Sequence, residues 1–389
     1  MLRFLDAGES HGKCLLGIIE GFPGGFTLDS EAINKELQRR QGGYGRGNRM
    51  NIERDRVDIL SGIISGKTIG SPIGLMIKNK DWENQKIEDR ENLTVPRPGH
   101  ADLAGVLKYN LNDYRSILER ASARKTAMRV AIGSVAGELL KYFSIFTYSH
   151  VVRIGQISAE NRIMSLKKER ENNIKKKINQ SSVYCLDSNI SEKMSQEIDR
   201  AKNDGDSLGG LFEVIVQNLP PGLGSHVFWD RRIDTRIAGA IMSIPSVKAV
   251  EIGEGIKGSE NRGSQVQDAI YYKAGQNKKY NRVDYFREKN WAGGIEGGIT
   301  NGEDVIVRVY VKPIPTLRKP LSSIDLISKK ETKANYQRSD VCAVPAASVI
   351  GEAVVNWELA AAFIEKFAGD SICEIESNYG YYLERLKKC

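Results

Sequence analysis

The sequence predicts an α+β fold with antiparallel sheets, and three observations support this prediction. Six apolar runs have the length of strands, and several alternate apolar and polar residues as half-buried antiparallel strands do. Two long segments have the apolar pattern of helices, and one of them is alanine-rich and apolar on nearly every side, which favours burial between layers. Two segments, beginning at Gly17 and Val214, repeat the order strand, Pro-Gly turn and helix, which indicates an internal duplication.

The individual elements follow from these patterns in chain order. We predict strands at residues 14–21, 57–64, 72–78, 212–219, 247–253 and 304–312. A helix is predicted from Met128, because apolar residues keep helical spacing from there to Phe143. A second helix is predicted from Val344, where Pro345 suits a position in the first turn.

One polar stretch differs from these elements. Residues 160–207 are rich in lysine and include a predicted helix whose apolar face carries Met194, Ile198 and Ala201. A lysine run of this kind is typical of a charged, solvated surface. We therefore expect a polar peripheral insertion within a single domain that spans residues 1–389.

Composition restricts the class of protein. Hydrophobic residues make up 40% of the 389 residues and charged residues 27%, as in folded globular proteins and unlike disordered ones. No apolar run reaches the ~18 residues of a membrane span, and the N-terminus lacks the apolar core of a signal peptide. We therefore expect a cytoplasmic protein without a membrane partner. Five cysteines without a CxxC pair indicate reduced thiols and no metal site.

The formal net charge of +8 indicates an anionic partner. Nucleic acid requires a broad basic stripe, whereas a small ligand with several negative groups requires a few converging arginines. The segment RRQGGYGRGNRM carries Arg39, Arg40, Arg46 and Arg49 on a glycine-bearing loop. This loop suits either RNA binding or a mobile lid over an anionic ligand.

Two of the four histidines occupy positions that suit a site. In VPRPGHAD, prolines on both sides of Arg97 stiffen the chain and Gly99 permits an unusual backbone angle, so that His100 is held beside Arg97. In DAGESHGKC, His11 lies just before a predicted strand, where a side chain can face a cleft. From the residues alone, each histidine remains open to a site role or an ordinary structural role.

Three further segments are too polar and too loop-like to belong to a core. In RASARKTAMR, Ser122 can cap a helix beside Arg120 and Arg124, which forms either an anion site or an ordinary capped helix. The segments GGIEGGITNG and VKPIPT allow close approach to a ligand or form a plain hairpin, and they lack the dinucleotide-binding fingerprint. QRSDVCAVPAA sets Arg338 and Asp340 immediately before the second predicted helix.

Seven segments, taken in this order, closely resemble the chorismate synthase family. They are GESHG, RRQGGYGRG, RPGHAD, RASAR before TAMR, GGIEGGITNG, KPIPT and RSD-C-AVPAA. The resemblance covers roughly residues 1–370, and the stretch 160–207 matches least. Each segment alone is a weak signal, but seven of them in order are highly specific.

The resemblance implies an activity and an architecture. Members of this family convert 5-enolpyruvylshikimate 3-phosphate to chorismate by a 1,4-anti elimination of phosphate, in the shikimate pathway to the aromatic amino acids. They require reduced FMN without net redox change. Their fold is a sandwich of two antiparallel four-stranded sheets that encloses helices, and they assemble as homotetramers.

The resemblance also implies which residues bind. Those that would bind the anionic groups of the substrate are Arg40, Arg46, Arg97, Ser122, Arg124 and Arg338. Those that would bind FMN are Arg120, Ala121, Ser122, Pro245, Ser246, Gly297, Lys312, Pro313, Ile314, Pro315, Thr316 and Arg338. Some members assign the positions of Arg40 and Arg46 to NADP(H) as well. Ala121 stands where the family commonly has a second serine, so one polar contact would be missing.

Three residues match catalytic positions of the family. His11 corresponds to the histidine that protonates the departing phosphate, and His100 to the one that protonates or stabilises the reduced flavin. Asp340 corresponds to the aspartate that works with flavin N5 to remove the substrate C6 proton. His150 and His226 match no motif of the family, and we expect structural roles for them.

Two other classes of protein were weighed against this interpretation. A nucleic-acid-binding protein would explain the charge and the arginine loop, but not the proline-framed His100 or the KPIPT segment. A flavin-dependent oxidoreductase would share the FMN site and would turn over NAD(P)H. The sequence carries no separate nicotinamide fingerprint, which favours an external source of reduced flavin.

Overall fold

The strands of the computed structural model form two main antiparallel sheets and several two-stranded ribbons. The structure describes residues 1–47, 54–82, 92–159, 171–273, 284–334 and 339–388. The strands are β1 (Arg3–Ala7), β2 (Cys14–Glu20), β3 (Val57–Ser61), β4 (Ile63–Ile64), β5 (Lys67–Thr68), β6 (Ile73–Lys78), β7 (Phe146–Ile154), β8 (Ile157–Ser158), β9 (Gly210–Gln217), β10 (Val247–Ile252), β11 (Ile270–Tyr272), β12 (Tyr285–Arg287), β13 (Ile295–Glu296), β14 (Ile299–Thr300), β15 (Val305–Val311), β16 (Ser322–Ile324) and β17 (Glu331–Lys333).

Eleven α-helices accompany these strands in the described part of the chain. They are α1 (Ser30–Gln41), α2 (Asp102–Tyr109), α3 (Arg115–Ala121), α4 (Thr126–Tyr142), α5 (Glu171–Gln180), α6 (Ser188–Asn203), α7 (Ile233–Met242), α8 (Gly255–Ser259), α9 (Gly263–Val266), α10 (Val344–Phe367) and α11 (Ile372–Leu386).

Both main sheets are antiparallel throughout. The first has the strand order β1-β2-β6-β3, and the second has the order β10-β15-β9-β7-β8. The second sheet therefore has five strands where the family resemblance implies four, because the two-residue strand β8 pairs with the end of β7. The mixture of antiparallel sheets and long helices confirms the α+β prediction.

All six predicted strand segments contain strands, namely β2, β3, β4, β6, β9, β10 and β15, and the other ten strands of the described residues were not predicted. The run 57–64 is divided into β3 and β4 by Gly62, whose φ is +84°. In the two main sheets, the missed strands are β1, β7 and the two-residue β8; the others are short strands of the two-stranded ribbons. Strand β7 carries polar residues that are buried because they are paired: Ser149 donates to Glu352 of α10, and His150 contacts Glu213 of β9.

Helices α4 and α10 pack against each other and connect the two sheets. Helix α4 contacts β1, β2 and β6 of the first sheet, whereas α10 contacts β7, β9 and β15 of the second. Their backbones approach closely, since a Cβ atom placed on Gly133 would lie 2.2 Å from the carbonyl oxygen of Ala353. Small residues permit this approach, which explains the alanine-rich composition of α10.

Helix α10 is long and apolar. By length and composition, it is the one helix in the described part of the chain that could cross a membrane, although no apolar run of that length stood out in the sequence. Within its apolar 18-residue segment, 94% is buried inside the protein. Its apolar surface therefore covers the second sheet and α4.

The lysine-rich stretch is less solvated than we expected. Helix α6 buries Met194, Ile198 and Ala201 on one face, as predicted. However, α5 also buries Ile174 and Ile178, which belong to the main hydrophobic core. These two isoleucines lie four positions apart, so they share one helix face. The part from residue 171 onward thus packs on the core, and residues 160–170 lie outside the described residues.

Candidate functional site

Two buried arginines meet at one carboxylate. Arg124, in the turn before α4, donates from Nη1 to Asp55 Oδ1 at 2.6 Å, and Nη1 of Arg40, in the last turn of α1, lies 3.6 Å from Asp55 Oδ2. Asn79 Oδ1 accepts from Arg124 Nε at 2.8 Å, and Thr126 Oγ1 accepts from Arg40 Nε at 3.0 Å. Both guanidinium groups are therefore held in fixed orientations by protein groups.

The two arginines of this cluster share one carboxylate, so positive charge is in excess. Arg40 is 3% exposed, and its Nη1 has no hydrogen-bond partner among the described residues. Burial lowers the pKa of Arg40 to about 9 although Asp55 acts in the opposite direction, and the neighbouring Arg46 and Arg124 lower it further. A buried cation whose pKa is lowered in this way is stabilised by added negative charge. The cluster is therefore suited to bind an anion.

The arginine loop joins this cluster to Asp340. Arg46 Nη1 donates to Asp340 Oδ2 at 2.6 Å, and the backbone N–H of Gly47 donates to Asp340 Oδ1 at 2.6 Å. The loop is also anchored by its backbone, since Gly45 O accepts from Val341 N at 2.8 Å. The described half of the loop is thus attached to Asp340 and Val341, and Arg49 lies outside the described residues.

His11 lies against a buried carboxylate. Its Nδ1 is 2.8 Å from Glu119 Oε1 and 3.1 Å from Oε2, and its backbone N–H donates to Glu119 Oε2 at 2.8 Å. The next residue, Arg120, donates to Gly8 O at 3.0 Å and forms an ion pair with Asp6. The last turn of α3 therefore fixes the segment that carries His11.

Ser122 connects this segment to the arginine cluster. Its hydroxyl donates to Ser10 Oγ at 3.2 Å and accepts from Arg124 N at 3.2 Å. The predicted capping role of Ser122 is therefore confirmed, although it caps the short turn that leads into α4 and not α4 itself.

His100 belongs to a second polar cluster, centred on a buried aspartate. Asp102 is fully buried; its Oδ1 lies 2.5 Å from His100 Nδ1, and its Oδ2 accepts from Arg97 Nε at 2.8 Å. Burial alone would raise the pKa of Asp102, but hydrogen bonds from His100 and Arg97 lower it to about 2. Asp102 is therefore ionised and holds both neighbours in orientation.

The KPIPT segment packs beside this second cluster. Arg97 Nη1 donates to Thr316 Oγ1 at 3.4 Å, and Lys312 Nζ donates to Gly99 O at 2.5 Å. Lys312 also donates its backbone N–H to Ser246 O at 2.9 Å, and Ser246 follows Pro245 with a left-handed φ of +69°. Three predicted segments, around residues 97–100, 245–246 and 312–316, are thus brought together.

The two clusters are linked through Ser339. Its hydroxyl donates to Thr316 O at 3.1 Å, and the adjacent Asp340 pairs with Arg46. Asp340 and Arg46 in turn act electrostatically on Arg40. Polar contacts, together with this electrostatic influence on Arg40, therefore connect His11 through the arginines to His100, and they join side chains from distant parts of the chain.

One predicted binding residue lies elsewhere. Gly297 occupies the turn of the β13–β14 hairpin, where Gly297 and Gly298 have φ values of +59° and +84°. This hairpin precedes β15 and contacts the start of α7 through Ile233 N and Gly298 O at 3.0 Å, whereas Lys312 follows the opposite end of β15. The glycine-rich segment is thus a hairpin. It lies before the first residue of β15, whereas Lys312 follows the last, so the seven residues of β15, or about 20 Å, separate the two.

The remaining predicted site residues bind other protein groups, have no polar side chain, or lie outside the described residues. Arg120 directs its guanidinium group to Asp6 and Gly8, and Ala121 ends α3 without a polar side chain. Pro313, Ile314 and Pro315 lie between Lys312 and Thr316, and Ile314 O accepts from Ser207 Oγ at 2.7 Å. Arg338 lies outside the described residues.

The other two histidines differ from each other. His150 is buried in the second sheet, with Nε2 3.1 Å from Glu213 Oε2, as expected of a structural residue. His226 is exposed in the loop before α7. Among the residues that the structure describes, no group of three or more His, Cys, Asp and Glu side chains could hold a metal ion.

A cavity of about 900 Å³ opens beside the arginine loop. Its walls are α1, the loop at residues 42–47, the segment 54–56 and α6. Besides Arg46, the cations along it are Lys35, Arg54, Arg56, Lys202 and Arg318. His11 and His100 do not line it, so the cavity leads to the arginine cluster and not to the histidines.

The sequence patterns missed the carboxylates that organise the site. Asp55, Asp102 and Glu119 were not among the candidates, yet each is buried and contacts one or two predicted residues. For Asp102 a signal was present, since it follows His100 by two residues in RPGHAD. Asp55 and Glu119 are far along the chain from Arg124 and His11, so that no local motif joins them.

Comparisons with known proteins agree with the resemblance in sequence. The family model described as chorismate synthase matches residues 2–364. The chorismate synthase of Desulforudis audaxviator is 52% identical over 100% of this chain and 98% of its own length, and that of Geotalea daltonii is 52% identical over the whole of both chains. A solved crystal structure of chorismate synthase superimposes with a TM-score of 0.82 at 43% identity, covering 100% of this chain and 99% of that one.

Proposed function

Because the chain belongs to the chorismate synthase family, we propose that it catalyses the 1,4-anti elimination of phosphate from 5-enolpyruvylshikimate 3-phosphate to give chorismate. This is a lyase reaction of the shikimate pathway. The observation that carries the proposal is the buried arginine cluster at Asp55, with the donor Nη1 of Arg40 left without a hydrogen-bond partner among the described residues.

The substrate explains why such a cluster is needed. It bears two carboxylates and one phosphate, and arginine binds both kinds of group through charge-assisted hydrogen bonds. We assign substrate anions to Arg40, Arg46 and Arg124, with Ser122 beside Arg124 and with Arg97 and Arg338 by resemblance. The cations along the adjoining cavity would raise the local concentration of an anionic substrate.

Two residues are assigned to proton transfer with the substrate. His11 would donate a proton to an oxygen of the departing phosphate, and its placement beside Glu119 supports this role. Asp340 would accept the C6 proton of the substrate. Its contacts with Arg46 and Gly47 favour an ionised carboxylate in a fixed position.

Members of this family use reduced flavin, and the residues present fit an FMN molecule in their chemistry. Lys312 offers a cation, Thr316 and Ser122 offer hydroxyl groups, and no atom lies within 4 Å of the point where a side chain would begin at Gly297. Such open backbone suits a flat ring. When bound, reduced FMN supplies an electron-rich ring that contributes to proton removal without net redox change. His100, held by Asp102, would donate a proton to it.

The position of Gly297 restricts this assignment. Residues 245–246 and 312–316 are joined by a hydrogen bond, whereas Gly297 lies toward the opposite end of β15. We therefore assign the flavin mainly to Pro245, Ser246 and the segment 312–316. Arg120, Ala121, Ser122 and Arg338 remain assigned by resemblance, and Gly297 by resemblance and its open backbone.

The assembly and the location are also part of the proposal. Leu5 and Ile18 are cross-strand neighbours on the outer face of the first sheet, where they are 74% and 50% exposed. An exposed apolar pair of this kind suits a contact with another subunit, and the resemblance implies a homotetramer. We also propose a single domain with a two-sheet sandwich and an internal duplication, a cytoplasmic location, and no nucleic-acid or membrane partner. The reduced flavin would come from an external source and not from bound NADP(H).

Anaerobic release of phosphate tests the proposed function. The protein is mixed with 5-enolpyruvylshikimate 3-phosphate and either chemically reduced or oxidised FMN. We expect phosphate and chorismate only with reduced FMN. Equal rates with oxidised FMN, or no release with reduced FMN, would contradict the proposal. Consumption of NAD(P)H in proportion to product would instead indicate an oxidoreductase, and tight binding of RNA without turnover a nucleic-acid-binding protein.

A further inference from the structure

Glu119 is a buried carboxylate to which neither the sequence patterns nor the family resemblance gives a role. It lies on the last turn of α3, is 4% exposed, and receives three contacts from His11. We propose that Glu119 is the positioning residue of His11, which determines the ring nitrogen that delivers the proton to the departing phosphate. This inference rests on the proposed function of His11.

The choice of nitrogen follows from the chemistry of the contact. In the proposal Glu119 is an acceptor for the ring, as it already is for the backbone N–H of His11, so that the ring nitrogen at 2.8 Å from Oε1 carries the hydrogen. Nδ1 of His11 is therefore the donor to Glu119, and Nε2 is the nitrogen that exchanges a proton with a ligand. In the proposed step, Nε2 gives its proton to a phosphate oxygen while the C3–O bond breaks and its electron pair leaves with the phosphate. The charge left on the substrate ring is neutralised when the C6 proton passes to Asp340, because the electron pair of the C6–H bond forms the new double bond. His11 is then neutral with its proton on Nδ1, and water reprotonates Nε2.

The orientation of the ring is fixed by more than one contact. Glu119 Oε2 also accepts from the backbone N–H of His11, so the same carboxylate holds the main chain and the ring. The carbonyl of Glu119 accepts from Ser10 N at 3.2 Å, and Arg120 binds Gly8 O at 3.0 Å. The whole segment before β2 is therefore attached to α3, and the ring is 16% exposed at its surface.

The first test uses the intact protein with bound reduced FMN and the variant Glu119→Gln, which preserves shape but not charge. We expect kcat for phosphate release to fall about 10- to 100-fold, in the lower range of lost acid–base catalysis, with KM for the substrate nearly unchanged. The matched control is Glu384→Gln, on the exposed face of α11, which should keep the wild-type rate. An unchanged kcat in Glu119→Gln would overturn the proposal.

A double-mutant cycle separates positioning from general structural support. Glu119→Gln is combined with His11→Ala, and single-turnover phosphate release is measured for all four proteins. If Glu119 acts through His11, the double variant is as slow as His11→Ala alone. If the losses multiply, Glu119 acts by another route and the proposal is wrong. Glu119→Asp keeps the charge, and it should recover part of the rate lost in Glu119→Gln.

A spectroscopic measurement keeps this inference distinct from the proposed function. In ¹⁵N-histidine-labelled protein at a pH where the ring is neutral, we expect His11 to carry its proton on Nδ1, and Glu119→Gln to increase the Nε2–H form. This result requires no turnover, so it would stand even if phosphate release failed and the proposed function were lost. A wild-type His11 protonated on Nε2 alone would overturn the inference while leaving the proposed function intact.

Discussion

Arg46 donates to Asp340 at 2.6 Å although 294 positions of the chain separate the two residues. The contact joins the arginine loop after α1 to the residue that precedes α10. It brings a group assigned to substrate binding into direct contact with the group assigned to proton removal. Binding of the anionic substrate at Arg46 would therefore act directly on the base.

The first prediction concerns Asp340. Asp340→Asn preserves the shape and can still accept from Gly47, but it cannot take a proton from the substrate. We expect elimination to slow by about 10²- to 10⁴-fold, as for a lost general base, while FMN and substrate still bind. Stopped-flow phosphate release and binding titrations measure the two effects separately. If the variant loses binding but retains the rate in its bound fraction, Asp340 is structural.

The second prediction divides the histidines into two groups. His11→Ala and His100→Ala should each lower kcat by about 10- to 10⁴-fold, because each would remove a proposed proton donor. His226→Ala is the matched control, since His226 is exposed before α7 and should leave turnover unchanged. Steady-state kinetics of the three variants at one pH suffice. Similar rates in all three would show that this division is wrong.

The third prediction concerns Arg46. Arg46→Ala removes a charge-assisted contact, so that substrate affinity should fall by about 1.5–3 kcal/mol and FMN affinity much less. Arg3→Ala provides the control, because Arg3 is an exposed arginine on the first sheet. Isothermal titration of each ligand gives both affinities. A larger loss for FMN than for substrate would move Arg46 to the cofactor.

The fourth prediction is a pH dependence of stability. The folded-state pKa of Asp102 is lowered from 3.8 to about 2, so its contribution is fully present above about pH 4 and lost as the pH falls toward 2. The shift corresponds to roughly 2 kcal/mol of unfolding free energy. Urea unfolding at several pH values between 6 and 2 should therefore show a smaller loss on acidification in Asp102→Asn than in the wild type.

A matched variant isolates this carboxyl group. Asp58 lies on β3, is half exposed and pairs with Lys78, so Asp58→Asn should retain the acid dependence of the wild type. If Asp102→Asn loses stability on acidification as steeply as Asp58→Asn does, then other carboxylates account for the acid dependence.

The elements that could be predicted from the sequence are those whose formation depends on residues close together in the chain. Period-two and helical patterns depend only on neighbouring residues, so the six strand segments and α10 could be predicted. Ser122 could be assigned as a cap for the same reason. Strand β7 could not, because its Ser149 and His150 are polar and only their partners on α10 and β9 make burial favourable.

The buried carboxylates of the site could not be predicted from the sequence for the same reason. Glu119 lies 108 positions from His11, and Asp55 lies 69 positions from Arg124. An acidic residue in the sequence is most often a solvated surface group. Its pairing with a distant histidine or arginine depends on how α3 and the segment after α1 pack, which no local pattern contains.

The close contact of Gly133 with Ala353 has a consequence for the reaction. Ser122 and Arg124 precede α4, whereas Asp340 precedes α10, so both groups are carried at the starts of two helices that touch at these small residues. A methyl group at Gly133 would clash with Ala353, so that the two helices would have to move apart. We expect this movement to change the separation between the proposed anion site and the proposed base, so that the rate of phosphate release should depend on the packing of small residues between α4 and α10.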